Sequence, residues 1–414
     1  MTDGLKKAID ALYPARARRA QYERYEALTA AFRDAFGAEP DGWFSAPGRS
    51  EICGNHTDHN MGKVMAAAID LDVASAAAKD DDGLIVVASD SFPTVIVDVD
   101  DLEAKPEEEG TSIAIVRGVA ARMKELGYEI GGFKAFNTTN VLKGSGMSSS
   151  AAFEILICTL LSHFYNEGNL DPVEAAKISQ YAENVYFGKP SGLMDQTACS
   201  VGGFVRIDFK DITAPVITPI AFDFEKTGYD LVITDCRADH ADATADYASI
   251  REDMRAVSRM FGKEYLREVD EGEFRNALGK VRAEAGDLGV MRAIHFFEEN
   301  KTVDRASEAL QNGDFAAFRR EIIRSGRSSY MYLQNIYSPA HPKEQALAAA
   351  LCVSEQMLDG VGAWRVHGGG FGGTIQAFVP SEMTARYIDA MEQLFGEGCC
   401  YNVSVRPKGG VRLF

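Results

Sequence analysis

Residues 142 to 165, LKGSGMSSSAAFEILICTLLSHFY, place a turn rich in glycine and serine directly before an apolar helical run. Gly144 and Gly146 let the backbone come close to a ligand, and a helix start offers unpaired N–H groups and the positive end of its dipole. The natural ligand of such a site is phosphate. Phe153, Leu156, Ile157, Leu160, Leu161 and Phe164 recur at helical spacing and predict an amphipathic helix with that face buried. No Lys follows the glycines in the G-x-x-x-x-G-K-[ST] order, so this is not a Walker A loop, and the hydroxyls of Ser148, Ser149 and Ser150 are what it offers to phosphate or Mg²⁺. Taken alone, the segment reads equally well as a Ser-capped helix after a flexible turn.

Three further segments carry reactive side chains. APGRSEICGNHTDHN, 46 to 60, brings Arg49, His56 and Asp58 close in sequence, and ENVYFGKPSGLMDQ, 183 to 196, holds Glu183 and Asp195. In HGGGFGGT, 367 to 374, Gly368, Gly370 and Gly373 formally satisfy G-x-G-x-x-G. That fingerprint must open a helix, whereas the TIQAFVP that follows reads as a strand ending at Pro380, so a glycine turn between strands is predicted. His240 with Asp239 and Asp242 would suggest a metal site on residue type alone, but no Cys or His spacing supports it, and a solvated acidic loop is the expectation.

Segments 46 to 60, 142 to 154 and 367 to 374 stand in the order and spacing of the three GHMP kinase motifs, and with 183 to 196 the set resembles the galactokinases most closely. Against the family pattern A-P-G-R-V-N-L-I-G-E-H-T-D-Y-N, Pro47, Gly48, Arg49, Gly54, His56, Thr57, Asp58 and Asn60 match. The resemblance implies ATP as phosphoryl donor and transfer to the C1 hydroxyl of a small free sugar, galactose first. It assigns ATP binding to Lys143, Gly144, Ser145, Gly146, Met147, Ser148, Ser149, Ser150 and Ala151, with Mg²⁺ between the phosphates, Ser150 and Glu183. Both metal ligands are hard oxygens, as Mg²⁺ requires. Asp195 becomes the carboxylate that meets the sugar hydroxyl, with Arg49 beside it, and Asn55, His56, Asp58, Gly192 and Tyr247 become the sugar pocket. An adjacent Arg lowers an Asp pKa, which makes Asp195 a dependable anion and a weak base.

The departures from the pattern surround the sugar rather than the phosphates. Asn55 stands where the family has Glu, Ser50-Glu51 where it has Val-Asn, His59 for Tyr and Met61 for Gly. An ionised Glu only accepts hydrogen bonds, whereas Asn donates and accepts without charge, so a different substituent at C6 is expected to be tolerated. A uronic acid, an N-acetylhexosamine, or a sugar sensor without turnover are the alternatives. The intact Ser148–Ala152 stretch with Arg49, Glu183 and Asp195 favours catalysis.

These groups need a scaffold, and the rest of the chain supplies one. Residues 1 to 40 read as an N-terminal helical cap, and 63 to 100 as strands in close succession. Helices are predicted over 111 to 126, 149 to 166, 171 to 187, 247 to 261, 271 to 297, 302 to 311, 314 to 335 and 343 to 358, with VRIDF, YDLVITDC, WRVHG and TIQAFVP as strands among them. The irregular mixture favours an α+β fold. The resemblance makes it the two-domain GHMP kinase fold with its site in the cleft, divided as 1–210 and 211–414. With 43 Lys plus Arg against 61 Asp plus Glu, a formal charge of −18 argues against nonspecific binding of nucleic acid or anionic membrane. No run of 18 apolar residues and no signal-peptide core is present, and seven Cys without a C-x-x-C pair suit reduced thiols, so a cytoplasmic monomer or weak oligomer is expected.

Overall fold

The computed structural model describes residues 1–141, 146–238 and 244–414. Two helices open the chain, α1 (Asp3–Leu12) and α2 (Arg18–Phe36). The Thr2 hydroxyl caps α1 by accepting from the Leu5 N–H, and Gly37, at φ 65°, closes α2. Leu5, Ile9, Tyr25, Leu28 and Phe32 pack them onto Ala74 and Ala76 of the sheet beneath.

That sheet contains β1 (Gly42–Cys53), β2 (Lys63–Lys79), β3 (Leu84–Ser89), β4 (Val95–Asp98), β5 (Phe133–Thr139), β6 (Phe204–Asp208) and β7 (Val216–Ile220), with Val411–Arg412 added beside β1. The long β2 is its spine. It pairs with β1 along most of its length, with β5 over Val73–Lys79 and with β6 over Lys63–Ala67. Among the described residues the one parallel pairing is β3 with β5. The ladder between β1 and β2 slips between Pro47 and Arg49, where proline has no N–H to give. Gly48 sits at the slip because a Cβ there would lie 2.7 Å from the Met147 carbonyl oxygen. The end of the phosphate-loop segment thus rests on β1.

Helices α3 (Ser112–Glu125), α4 (Ser149–Tyr165), α5 (Pro172–Tyr181) and α6 (Met194–Val201) cover one face of this sheet. Val116, Val119, Leu156, Leu160 and Ile178 meet Phe44, Ile85, Val87 and Phe133 in one core. The predicted stripe on α4 is too narrow. Leu156, Ile157, Leu160 and Leu161 are buried, but so are Glu154, Cys158, Thr159 and Ser162, because α4 lies between α3, α5, α6 and the sheet. Phe153 and Phe164 are only partly buried.

A second, antiparallel sheet runs β11-β8-β10-β9, from β8 (Tyr229–Asp235), β9 (Ala363–His367), β10 (Thr374–Pro380) and β11 (Cys400–Val403). Around it stand α7 (Thr244–Met260), α8 (Glu271–Asn276), α9 (Leu278–Gln311), α10 (Phe315–Ser328), α11 (Ala346–Leu358) and α12 (Thr384–Phe395). Val366, Ile375 and Ala377 pack on Leu347, Leu358, Tyr387 and Met391 of α11 and α12. On the other side Leu231 and Phe378 join Val303, Phe318 and Ile322 of α9 and α10 in a core that also takes Met65, Ile69 and Phe204 of the first sheet. The break expected between 297 and 302 lies instead at Gly286, where φ is 75° and ψ −179°, so that α9 is two helical stretches joined at a kink. Residues 368–373 form the predicted turn, with β9 and β10 antiparallel on either side of it and His367 opposite Thr374.

Candidate active site

Arg49 follows the slip in β1, and Asp195 lies in the first turn of α6. Arg49 Nε and Nη2 each donate to one carboxylate oxygen of Asp195 at 2.7 Å, a planar two-bond pairing. Arg49 Nη1 donates to the Gly146 carbonyl and the Ser148 hydroxyl donates to Asp195, while the Arg49 N–H reaches the Met147 carbonyl at 3.1 Å. The Asp195 side chain keeps 33% exposure, so one side of it still faces open space. Burial pushes its pKa up, but the Arg49 charge and the hydrogen bonds from Arg49 and Ser148 outweigh this and hold it below the ordinary carboxylate value. Ser148 turns the chain into α4 with φ 58°, a left-handed conformation unusual for a residue with a side chain. Met147 and Ala151 are buried beneath this turn, and Ser149 and Ser150 begin the helix. Lys143, Gly144 and Ser145 lie outside the described residues, as do Asp239, His240 and Asp242.

Ser150 Oγ lies 3.4 Å from Glu183 Oε1, in a single turn of wider helix that follows α5. Lys189 Nζ sits 2.9 Å from the same carboxylate oxygen, and Gln196 Nε2 donates to the other at 2.8 Å. Two hard oxygens side by side, one already holding a cation, fit Mg²⁺. Among the described residues no group of three His, Cys, Asp or Glu side chains forms a metal cluster. A Mg²⁺ ion here would take its remaining oxygens from phosphate and water.

Asp58, Gly192, His56 and Tyr247, expected at the sugar, lie close to one another. Asp58 lies in a short helical turn, 58–60, and a Cβ on Gly192 would come within 3.2 Å of its Oδ2, so glycine at 192 leaves that carboxylate uncovered. Burial raises the Asp58 pKa, but the His59 hydrogen bond and the charges of His59 and His56 leave it lowered. His56, at φ 56°, stacks on Tyr247 with ring centres 5.9 Å apart and planes 27° apart. His56 Nε2 pairs with the Gly369 carbonyl at 2.8 Å, and the Tyr247 hydroxyl donates to the Gly370 carbonyl at 2.9 Å. Burial depresses the His56 pKa to about 4, so its ring is neutral near pH 7.

Asn55 is placed differently from its neighbours. It is 1% exposed, and its Nδ2 donates to Glu51 Oε1 at 3.0 Å and to the Gly368 carbonyl at 2.8 Å. Its Oδ1 accepts from Asn335 Nδ2 at 2.6 Å and from Ser329 Oγ at 3.4 Å. The amide is fully engaged within the protein. Glu51, in turn, faces Arg365 at 3.3 Å. The sequence reading notes Glu51 only as a departure from the family pattern and does not single out Arg365, Ser329 or Asn335, which reach Asn55 and Glu51 from two distant segments.

Beside Ser149 and Ser150 opens a cavity of about 520 Å³ with walls that include Val87, Val95, Ile113 and Phe153. Its one deeply buried amide, Asn137, is also absent from the sequence reading. The available signal was a polar residue at the third inward position of FKAFNTT, after Phe133 and Ala135.

A helix start whose Ser148 hydroxyl is turned onto a bidentate Arg–Asp pair, on this two-sheet scaffold, defines a phosphotransferase of the GHMP kinase class. The GHMP kinases N terminal domain model matches residues 114–203, and the galactokinase galactose-binding signature matches 30–79. The galactokinase of Streptomyces coelicolor is 30% identical over 369 residues, 88% of this chain and 91% of that protein. Human galactokinase is 30% identical over 392 residues, 92% of this chain and 94% of its own. The crystal structure of Lactococcus lactis galactokinase complexed with galactose superposes with a TM-score of 0.76 at 24% identity, covering 94% of this chain and 99% of that one. The mevalonate kinase of Methanococcus jannaschii gives 0.63 at 16% identity, over 88% and 98%. The chain belongs to the galactokinase family, whose members are ATP-dependent kinases.

Proposed function

We propose that this chain is a sugar-1-kinase that moves the γ-phosphoryl group of ATP to the anomeric hydroxyl of galactose. The observation that carries this reading is the Arg49–Asp195 pair set against the start of α4, with both charges held in place before any substrate arrives. Asp195 accepts the hydrogen bond of the C1 hydroxyl and aligns its oxygen on the γ-phosphorus. As the new P–O bond forms, the bond to the bridging oxygen breaks and ADP leaves with that electron pair. The hydroxyl proton passes to Asp195 late, because the lowered pKa makes this carboxylate a weak base. Arg49 stands against the charge on the transferring group. Mg²⁺, held by Ser150, Glu183 and the phosphates, would neutralise negative charge there, and Lys189 would then give up its contact with Glu183.

Asp58, His56, Gly192 and Tyr247 form the sugar pocket on this reading, and Asn55 shapes it from behind through Gly368 and Asn335. The working unit has two domains, 1–210 and 211–414, with Val216–Ile220 and Val411–Arg412 pairing back into the first sheet. It acts in the cytoplasm as a monomer or weak oligomer on a free sugar, without nucleic acid or membrane. The acidic balance of −18 supports the last point.

The test is ADP release by the purified protein with ATP, Mg²⁺ and, separately, galactose, galacturonate, N-acetylgalactosamine and glucose. Turnover on galactose sustains the reading. Turnover confined to galacturonate or N-acetylgalactosamine would keep the chemistry and move the substrate, the outcome that a pocket without a carboxylate at 55 makes worth measuring. No turnover on any sugar would overturn it.

A further inference from the structure

The cavity beside α4 contains an amide that the protein itself does not use. Asn137 is 4% exposed, yet neither its Oδ1 nor its Nδ2 has a hydrogen-bond partner. Phe133 and Ala135, which precede it on the same face of β5, are fully buried in the apolar core. The period of two therefore calls for a third apolar side chain at 137. A carboxamide buried with donor and acceptor both unmet is destabilising, and native proteins keep such groups where a ligand or other partner completes them. Asn137 lines the 520 Å³ cavity, where aliphatic and aromatic side chains such as Val87, Val95, Ile113 and Phe153 alternate with small hydroxyl residues, Ser149 and Ser150 among them. A chamber with apolar side chains and one deeply buried free amide, bordered by the first residues of α4, suits a nucleobase whose phosphates lie at that helix start.

We propose that Asn137 reads the base of the nucleotide donor, pairing its amide with the amino group and adjacent ring nitrogen of adenine. The adenine edge sets a donor beside an acceptor, and a carboxamide is its complement, an acceptor beside a donor. The apolar side chains of the cavity take the ring, and the amide fixes how it is turned. Asn137 is thus a specificity-determining residue for the donor, an inference that rests on the reading of this chain as an ATP-dependent kinase.

Calorimetric titration of wild type and Asn137→Leu tests it with three probes: a non-hydrolysable ATP analogue, the same analogue on purine, which lacks the amino group, and inorganic tripolyphosphate. Wild type should bind the adenine analogue about fivefold to 100-fold more tightly than the purine one, the range of a bidentate amide–base pair. Asn137→Leu should lose that preference and weaken on adenine by a similar factor, with tripolyphosphate unchanged. The midpoint of thermal unfolding of the ligand-free variant should hold or rise, because an unmet amide has been removed. Asn137→Val, a better strand former, repeats the test if leucine is too bulky to fold. A variant that keeps the adenine preference, or whose ligand-free form melts well below wild type, overturns the proposal. Wild type that takes tripolyphosphate but a guanine analogue in place of adenine overturns it too. Wild type that binds none of these probes would instead overturn the ATP reading on which it stands.

Discussion

Arg49 grips Asp195 with two parallel bonds, and that geometry sets how the carboxylate works. The planar fork fixes the orientation of the carboxylate as well as its charge, which a lysine ammonium cannot do. Asp195→Ala is expected to lower kcat by about 10²–10⁴-fold, the range for a lost acid–base group. The dissociation constants for sugar and ATP, measured by calorimetry, should stay within several-fold, and near-normal turnover would remove Asp195 from the mechanism. The pH profile follows from two directions of shift. Asp195 has its pKa lowered and is ionised well below neutrality, and His56, depressed to about 4, is uncharged there. Neither group titrates near pH 6.5, so kcat/KM for sugar at saturating ATP should be flat from about pH 8 down to about pH 5.5. A limb centred at the ordinary His value of about 6.5 would mean that a histidine ionises in the reaction. The motifs in the sequence single out Arg49, Asp195, Ser150 and Glu183 because short fixed patterns carry them. Arg365 and Asn335 reach Glu51 and Asn55 only through tertiary contacts, which no local pattern reports.

At the scale of elements, the turn between β9 and β10 organises the proposed sugar side. Its carbonyls at 369 and 370 receive His56, Asn335 and Tyr247. Gly370 has φ 83°, and a Cβ there would fall 2.0 Å from the Asn335 carbonyl oxygen, so Gly370→Ala must displace either the turn or the segment under it. The expected result is a sugar KM raised about tenfold or more with ATP KM little changed, since misplaced contacts at a site are commonly felt at this level. Gly360→Ala is the control. It has φ 76° but nothing within 4 Å, so only the backbone strain of about 1–2 kcal/mol should appear, in thermal melts. Equal effects of both variants on sugar KM would refute the role of the turn. Most helices and three strands of the second sheet, β8, β9 and β10, were readable from period and punctuation, while α12 and the short β11 were not among the expected elements. β1 and β5 were not, for a physical reason. β1 is buried on both faces and interrupted by Pro47 and Gly48, which erases alternation, and β5 carries Asn137 where an apolar residue belongs.

Across the whole molecule, one buried carboxylate ties the chain ends to the strands that carry the site. Asp72 of β2 is fully buried and accepts from Arg24 of α2 at 2.5 Å, from Arg406 near the C-terminus at 3.1 Å, and from the hydroxyls of Tyr13 and Ser45. Arg406 is itself buried, and its remaining donors reach the Ser45, Lys408 and Gly409 carbonyls. Burial raises the Asp72 pKa, but the Arg24 and Arg406 charges leave it lowered overall. A carboxylate with a depressed folded pKa stabilises above its unfolded value of about 3.9 and loses that contribution as pH falls through the folded value. Asp72→Asn leaves two guanidinium groups facing a neutral amide, and for a broken buried pair the expected loss is about 3–5 kcal/mol at pH 7, read from urea unfolding. The gap to wild type should narrow below about pH 4, as wild-type Asp72 takes up its own proton. Arg24→Met should cost less, since Arg406 still neutralises the carboxylate. Adding Arg406→Met to Asp72→Leu should recover part of the loss, because the fully buried guanidinium is then removed with its anion and only Arg24, which is partly exposed, is left without one. A double variant no more stable than Asp72→Asn would mean that the hydrogen bonds of Arg406 to the chain's end, rather than its charge, are what hold the C-terminal segment against β1.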